Sequence, residues 1–534
     1  MTDSNFLWWR DGIIYQIYPR SFADSNGDGI GDLNGITARL DYLAELGVDA
    51  LWLSPISPSP DVDFGYDVSD YVDIDPKFGT LADFDRLLAE AHRRNIHIVL
   101  DLVLNHTSDQ HPWFQESRQS RASARRDWYI WRDPAPGGGK PNNWQSVFGG
   151  SAWQWDPHTR QYYLHLFYKE QPDLNWRNPE VRQAMLDVFR FWLDRGVDGF
   201  RLDVFNMYFK DAGFRSNPPK PGLRGFDRQQ HIYDHSQPEM FPLLAEIRAI
   251  LDAYPERYAV GETFMGSPEH AAEYVGPDKL HAAFEFDLLH CRWNPADYHR
   301  VIARSQAAFG PETWPTVVLN NHDNVRSGTR LAPMESDVRL KVAAALLLTL
   351  RGTPFMYYGE EIGQRDIRIT RELIQDPVGK RFWPFYVGRD GCRAPMQWDE
   401  TPQAGFTTGT PWLPVHPDYI FRSVTSQKAD PESLWHFYHR LIQLRRSSLA
   451  LRGGMFQWLT FQPRKLLAYL RQTAAETALV ALNFSPVKLS LTLSKELVGR
   501  NWRMGLSTHH GTVPLITDGW LPLEPYEALI LIAS

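Results

Sequence analysis

The sequence predicts an α/β fold, a (β/α)8 barrel of the TIM type with an inserted subdomain after strand 3 and a C-terminal antiparallel β domain. Short apolar runs alternate with amphipathic stretches through most of the chain, and this alternation stops between residues 105 and 174. After residue 455 the sequence changes to short alternating segments. Because parallel strands need long crossover connections, strand–helix alternation indicates a parallel sheet covered by helices.

Eight apolar runs of strand length support the barrel. They occupy residues 13–18, 50–55, 97–103, 199–204, 258–261, 283–288, 316–319 and 354–358. Helical periodicity fills several of the gaps, at residues 81–94, 181–195, 241–252 and 338–350. Eight such units fit a closed barrel. The pattern alone also allows an open, doubly wound sheet.

Two further regions depart from this alternation. Residues 105–174 are rich in Trp, Gly and Pro and include a strand-like run at 161–168, and a structureless loop of that length is improbable. Residues 466–471, 478–484, 489–493 and 528–532 resemble strands of a small antiparallel domain. We therefore predict barrel segments at 1–104 and 175–455, an inserted domain at 105–174 and a C-terminal β-sandwich domain at 456–534.

Composition limits the class of partner. The 534 residues carry a formal net charge of −8, which argues against nucleic acid or an anionic membrane as a partner. Two cysteines, Cys291 and Cys392, cannot form a disulfide framework. The first residues show no leader-like pattern, and no apolar run is long enough to span a bilayer. We expect a cytoplasmic protein, a monomer or weak homodimer, that binds a small neutral molecule.

Acidic residues follow several of the predicted strands. Asp101, Asp203, Glu262 and Asp323 each lie at or just beyond the carboxyl end of a strand, where barrel active sites are built. Side chains from different strand ends can converge there. Glycoside hydrolysis requires such a pair of carboxyl groups. The same arrangement could also bind Mg²⁺ or abstract a proton, so the spacing alone leaves these alternatives open.

Several segments resemble, in order, the motifs of the α-amylase superfamily, glycoside hydrolase family 13. They are residues 15–22, 101–106, 171–176, 199–206, the stretch around Glu262, 319–323 and 393–399. The form Gln-Pro-Asp-Leu-Asn at 171–175 resembles the α-glucosidase and oligo-1,6-glucosidase branch. The likeness covers nearly the whole chain. It implies an exo-acting retaining α-glucosidase that releases glucose from the non-reducing end of short oligosaccharides or disaccharides.

The resemblance also implies roles for individual residues. Asp203 would be the nucleophile, Glu262 the acid/base, and Asp323 would hold sugar hydroxyls and help to distort the ring. Arg201 lies two residues before Asp203 on the same side of the strand. Its positive charge would keep Asp203 ionised.

Five more residues are expected at the substrate. His106 and His322 would hydrogen-bond hydroxyls of the glucose unit. Tyr66 would stack on the sugar, and Asp67 would grip the non-reducing end. Arg389 matches the arginine that pairs with that acid and closes the pocket in the family. A blocked pocket of this kind admits one glucose unit and so implies exo action.

An early loop has the oxygen-rich pattern of a cation site. Asp24, Asn26, Asp28 and Asp32 alternate with glycines, as in the first part of an EF-hand loop, but the glutamate of an EF-hand is missing. The family often holds Ca²⁺ or Mg²⁺ here, with the Ile30 carbonyl as a further ligand. We expect a structural, non-catalytic cation and no organic cofactor. A plain Asx turn is the alternative.

Two other functions occur among proteins with this overall resemblance. An α-glucosyl transferase or a sucrose isomerase would keep the same site and differ in the acceptor. A non-catalytic amylase-like module would lack the carboxylates present here. In the branch that the chain resembles, a Val at the position of Val204, directly after Asp203, often accompanies cleavage of α-1,6 linkages. We therefore expect α-1,6 linkages to be cleaved at least as well as α-1,4, although residues 210–239 could override this bias.

Overall fold

The computed structural model describes residues 6–332, 336–462 and 464–534. In chain order the strands are β1 (Ile14–Ile17), β2 (Ala50–Leu53), β3 (His97–Leu102), β4 (Trp131–Arg132), β5 (Trp153–Asp156), β6 (Gln161–Leu164), β7 (Gly199–Leu202), β8 (Tyr258–Glu262), β9 (Ala282–Phe284), β10 (Thr316–Val318), β11 (Thr353–Tyr357), β12 (Met455–Gln462), β13 (Leu466–Gln472), β14 (Thr477–Asn483), β15 (Leu489–Thr492), β16 (Arg503–Ser507), β17 (Trp520–Leu523) and β18 (Ala528–Ala533).

The α-helices include short turns as well as the long barrel helices. They are α1 (Trp8–Asp11), α2 (Leu33–Ala38), α3 (Leu40–Leu46), α4 (Leu81–Arg93), α5 (Pro112–Gln119), α6 (Pro179–Asp194), α7 (Met240–Asp252), α8 (Pro268–Glu273), α9 (Pro295–Phe309), α10 (Ser327–Arg330), α11 (Asp337–Thr349), α12 (Pro377–Phe382), α13 (Val424–Ala429), α14 (Leu434–Ser447), α15 (Leu449–Gly453) and α16 (Lys495–Val498). None of the helices among the described residues has the length and apolar character needed to cross a membrane.

Eight parallel strands form the barrel, in the order β10-β11-β1-β2-β3-β7-β8-β9. The first barrel strand, β1, pairs with the last barrel strand, β11, with Ile14 opposite Phe355, and the other barrel strands follow in chain order. This order excludes the doubly wound alternative, in which the strand order reverses part-way across the sheet. At the remaining seam between β9 and β10, Thr316 Oγ1 donates to the Ala283 carbonyl at 3.5 Å. The barrel prediction is confirmed.

Local sequence explains where the helices begin and which face they bury. A reciprocal capping box between Thr80 and Asp83 starts α4, whose buried face includes Phe84 and Leu87. The helix α11 differs because it is buried on nearly every side, from Leu340 to Thr349. It packs against α14 and against strands β14 and β18 of the C-terminal region. A helix that is apolar and buried on nearly every side from residue 342 onward belongs between two packed layers.

The inserted segment contains the antiparallel sheet β4-β6-β5. The run predicted at 161–168 is shorter than expected, since β6 ends at Leu164. Beyond that point the backbone leaves the sheet, and the Leu166 N–H donates to the carboxylate of Asp173 at 2.9 Å. The chain thereby turns back toward the barrel.

The C-terminal region has a five-stranded antiparallel sheet, β12-β13-β14-β18-β16, and a two-stranded sheet, β15-β17. The four predicted strands correspond to β13, β14, β15 and β18. The antiparallel C-terminal domain is therefore confirmed as part of the fold class. Its sheet is tied to the barrel by Arg471, which donates to the Thr349 carbonyl at 2.7 Å.

Candidate active site

Three carboxylates meet one buried arginine at the carboxyl end of the barrel. Arg201 of β7 lies opposite Asp101 of β3 in the parallel register. Its Nη1 donates to Asp101 Oδ1 and to Asp203 Oδ1, both at 2.7 Å, and its Nη2 donates to Glu262. Arg201 is only 2% exposed. The predicted nucleophile and acid/base are therefore joined by a single guanidinium.

This concentration of negative charge changes the protonation of the site. Burial raises the pKa of Asp203 well above its ordinary value, the Arg201 charge opposes this, and the charges of Glu262 and Asp101 raise the pKa further. Burial raises the pKa of Asp101 to about 6, with Arg201 again opposing. Arg201 therefore contacts Asp203 as expected but does not by itself keep its pKa low. The ionisation of Asp101 and Asp203 therefore depends on the charges around them.

Asp323 lies in a different electrostatic environment. Its Oδ1 accepts from Arg393 at 2.9 Å and from Arg389 at 3.4 Å, and His322 Nε2 lies 3.3 Å from its Oδ2. Burial alone would raise the pKa of Asp323, but His322 and the two arginines lower it far below the usual range. Asp323 is therefore ionised at neutral pH.

The two predicted histidines are neutral parts of a buried network. Gln16 Nε2 lies 2.8 Å from His322 Nδ1, while the Tyr66 hydroxyl lies 2.6 Å from His322 Nε2. His106 Nε2 lies 3.0 Å from the Tyr66 carbonyl oxygen. Burial lowers the pKa of His322 to about 3 and that of His106 to about 4. His106 lines the cavity and can contact a sugar hydroxyl without adding charge. His322 does not line it, because Gln16 and Tyr66 engage both of its ring nitrogens behind the wall.

A cavity of about 200 Å³ opens onto these residues. This is smaller than the roughly 300–1,000 Å³ of pockets that hold drug-sized ligands, and it suits one sugar ring better than a chain. Its lining combines charged groups with aromatic rings: Asp63, Tyr66, His106, Val147, Phe148, Phe167, Asp203, Val204, Glu262, Phe264, Asp323 and Arg389. A larger cavity of about 860 Å³ lies at the opposite barrel end, beside Trp9 and Trp314, away from these carboxylates.

The structure corrects the acid expected to pair with Arg389. Asp67 is fully buried, but its carboxylate accepts from Ser59 and from the backbone N–H groups of Val62 and Asp63, at 2.8–2.9 Å. It therefore shapes the loop and does not line the cavity. The partner of Arg389 is Asp63, with Nη2 donating to Oδ1 at 2.7 Å.

Val204, directly after Asp203, has an unusual backbone conformation. Its φ of 35° and ψ of 40° lie in the left-handed region, which a β-branched residue rarely adopts. The turn brings its N–H to 3.4 Å from Glu262 Oε2 and puts its side chain in the cavity wall. Strain of this kind is characteristic of functional sites, where the surrounding structure enforces it.

The loop with the predicted cation ligands is curled by its own side chains. Successive Asx turns run from Asp24, Asn26 and Asp28 to the backbone N–H groups two residues on, at 2.8–3.0 Å. Asp32 caps α2 through the Gly35 N–H at 2.7 Å. Oxygen donors of this type suit a hard cation. However, across residues 6–332, 336–462 and 464–534 no three His, Cys, Asp or Glu side chains are gathered as a metal site. The cation stays a prediction.

Comparison with known families identifies the family of the protein. The family described as "Alpha amylase, catalytic domain" matches residues 16–454, and "Maltogenic Amylase, C-terminal domain" matches residues 456–530. The chain belongs to the α-amylase family. The motifs that resemble this family lie at the strand ends, and the structure brings them together around Arg201 and Asp323.

Similar proteins lie within the same α-amylase family. A probable α-glucosidase of Rhizobium meliloti (strain 1021) is 48% identical over 537 residues, covering 98% of this chain and 96% of that protein. An oligo-1,6-glucosidase of Parageobacillus thermoglucosidasius is 42% identical, covering 90% of this chain and 91% of that protein. A crystal structure of an α-glucosyl transfer enzyme superposes with a TM-score of 0.93 at 43% identity, covering 99% and 100% of the two chains.

Several residues of this α-amylase family site were not predicted from the sequence as site residues. Asp63, Asp376 and Arg393 all contact predicted site residues through charged hydrogen bonds. Arg393 lay in a segment that resembles a family motif, and Asp63 lies close to the predicted site residues Tyr66 and Asp67. Asp376 carried no local signal beyond a helix start, because an Asp before a Pro is common at that position.

Proposed function

We propose that this protein is an exo-acting, retaining α-glucosidase that takes one glucose from the non-reducing end of short α-glucosides. The supporting observation is the one-ring cavity whose polar wall comes from two charged groups. The first is Arg201 with Asp203 and Glu262, and the second is Arg389 with Asp63. A site lined in this way has a carboxyl pair for the reaction and little room for a longer chain.

In this proposal Asp203 attacks the anomeric carbon while Glu262 gives a proton to the departing oxygen. A covalent glycosyl-enzyme forms, and Glu262 then takes a proton from the water that releases glucose. The shared Arg201 supports this division of roles, because its guanidinium holds both carboxyl groups at one side of the cavity. Retention requires carboxyl groups about 5–5.5 Å apart. We expect α-glucose to be the first anomer seen by NMR.

The test compares Asp203→Asn and Glu262→Gln on maltose, isomaltose and an aryl α-glucoside with an activated leaving group. We expect Asp203→Asn to lose several orders of magnitude in kcat on every substrate. Glu262→Gln should be nearly inactive on the disaccharides but keep the glycosylation step of the activated glucoside, which needs no proton. The matched control is Glu285→Gln, a buried glutamate outside the cavity, which should stay active.

Three results would overturn the assignment. Substantial hydrolysis by the Asp203→Asn variant would remove its role as nucleophile. Equal losses for Glu262→Gln on activated and natural glucosides would remove its role as acid. A β-anomer as first product would replace retention by inversion.

A second function is favoured by one observation. The structural match to an α-glucosyl transfer enzyme covers 99% of this chain at 43% identity. Transfer uses the same glycosyl-enzyme and replaces water by a sugar or other alcohol as the acceptor. The ratio of free glucose to released aglycone, followed as the glucoside concentration rises, separates the two reactions. A ratio that stays near one supports hydrolysis, and a falling ratio supports transfer.

A further inference from the structure

Asp376 is a buried carboxylate that lies behind the cavity wall. It precedes α12 as its N-cap, where its Oδ1 accepts from the Val378 N–H at 3.2 Å, and it is 0% exposed. It does not line the cavity. The reaction proposed above gives it no role, so its contacts need another explanation.

Those contacts converge on Arg389. Asp376 Oδ2 accepts from Arg389 Nε and from the Arg389 backbone N–H, both at 2.8 Å, and Asp376 Oδ1 accepts from Arg389 Nη2 at 3.1 Å. One carboxylate therefore holds both the backbone and one edge of the guanidinium. A planar fork held along one edge has few remaining orientations.

The surrounding chain keeps Asp376 in place. Asp390 accepts from the backbone N–H groups of Gln375 and Asp376 at 2.6 and 2.9 Å. Gly388 lies so close that a Cβ there would come within 2.8 Å of the Asp376 Cβ, and its φ of 81° favours glycine. Residues 375–390 thus form a loop whose two ends are joined by hydrogen bonds.

The other contacts of Arg389 are with residues of the cavity wall. Its Nη2 reaches Asp63 at 2.7 Å, its Nη1 reaches Asp323 at 3.4 Å, and the guanidinium lies 5.6 Å from the Phe148 ring centre. Without Asp376 the arginine would have only these cavity partners. It could then move toward either carboxylate, and the spacing between Arg389, Asp63 and Asp323 in the pocket wall would change.

We propose that Asp376 is a positioning residue for glucoside binding, because it fixes Arg389 between Asp63 and Asp323. The inference rests on the proposed glucosidase function. It assigns to Asp376 an effect on how tightly the glucose unit is held, and little effect on the chemical step at Asp203. Loss of an interaction that is made equally with substrate and transition state raises KM and leaves kcat unchanged.

The experiment measures kcat and KM for an aryl α-glucoside with Asp376→Asn. We expect KM to rise about tenfold and kcat to change by less than about threefold. The matched control is Asp156→Asn, which removes another buried carboxylate that accepts from an arginine and from backbone, in the inserted domain. That control should leave KM unchanged. Gly388→Ala, which crowds Asp376, should raise KM as Asp376→Asn does.

A double-mutant cycle distinguishes positioning from general damage. If Asp376 acts through Arg389, the change Asp376→Asn should cost less than about twofold in kcat/KM once Arg389→Gln is present. The same loss in both backgrounds would overturn the proposal, and so would an unchanged KM in Asp376→Asn. A wild-type protein that fails to hydrolyse glucosides would instead overturn the proposed function. Melting temperatures identify any variant that is simply unfolded.

Discussion

At the scale of single residues, the site holds several charged side chains that are buried from solvent. Arg201 is almost fully buried and neutralises only part of the charge on Asp101, Asp203 and Glu262. Burying charge without full compensation is costly, and a protein lowers that cost by binding protons. The raised pKa of Asp203 is the direct result.

This electrostatic arrangement predicts an acid limb in the pH dependence of kcat/KM. Asp203 must be ionised to attack, so activity is lost as pH falls through its pKa. Burial and neighbouring charges raise that pKa above the usual value of about 3.9. The limb should therefore lie well above pH ~4. Asp101→Asn removes one raising charge and should move the limb to lower pH. An unmoved limb, or a shift to higher pH, would contradict this explanation.

Val204 allows a prediction on linkage preference. Val and Thr are both β-branched, so Val204→Thr keeps the strain of a φ of 35° and changes mainly one methyl to a hydroxyl. Wild type should cleave isomaltose at least as well as maltose. The variant should lower the isomaltose-to-maltose ratio of kcat/KM by about three- to tenfold, since small pocket changes act as a bias. Val147→Thr, in the same cavity wall, is the control. A wild-type preference for maltose above about tenfold would defeat the argument.

At the scale of elements, the inserted domain is held to the barrel by a buried ion pair. Lys210, beyond β7, lies 2.6 Å from Asp173 in the segment that closes the insertion, and neither side chain is exposed. Asp173 also accepts from the Leu166 N–H and from Asn105 Nδ2. These bonds fix the turn that follows β6, and they fix Phe167 in the cavity wall nearby.

Removing the lysine should therefore destabilise the protein strongly. Lys210→Met leaves Asp173 buried without its counter-charge, which costs roughly 3–5 kcal/mol. We expect a lower midpoint in urea unfolding and faster proteolysis within residues 105–174. The control Lys428→Met removes an ion pair of equal length, 2.6 Å, but partly exposed, and should cost less than about 1 kcal/mol. Equal effects from the two variants would show that burial of the Lys210 pair does not matter.

At the scale of the whole molecule, the barrel and the C-terminal region are packed together. A single hydrophobic core includes barrel residues such as Leu51 and C-terminal residues such as Val480. The loop at 24–32 adds a second long-range link, because the Asp24 N–H donates to the Phe406 carbonyl and the Trp412 N–H to the Gly29 carbonyl, both at 3.0 Å. Stability of that loop therefore affects the fold far along the chain.

We propose that a cation bound at Asp24, Asn26, Asp28, Ile30 and Asp32 strengthens this link. Ligand binding to the folded state raises its stability in proportion to the logarithm of ligand concentration. Chelation should lower the melting temperature by several degrees and leave activity at low temperature intact, because none of these residues lines the cavity. Asp28→Asn should abolish the effect of added Ca²⁺, while Asp70→Asn, another exposed Asx-turn residue, should not. Full inactivation of folded protein by a chelator would make the metal catalytic.

The sequence alone determined the features that depend on local periodicity and chain order. Each of the eight barrel strands lies within two residues of its predicted start, because each apolar run is bounded by polar or turn-forming residues. The carboxylates at the strand ends followed from the same reasoning. Parallel strands bring their carboxyl ends to one face, so Asp203, Glu262 and Asp323 had to be neighbours once the barrel was assumed.

Only the tertiary structure decided which charged groups pair. Asp63 and Asp67 lie four residues apart in one turn, and backbone direction alone selects Asp63 for Arg389, more than 300 positions later in the chain. Asp376 reaches Arg389 because Gly388 permits a close approach. The raised pKa values of Asp101 and Asp203 likewise depend on burial, which periodicity does not measure. Such pairings depend on distances of a few ångströms between residues far apart in sequence, and packing sets those distances.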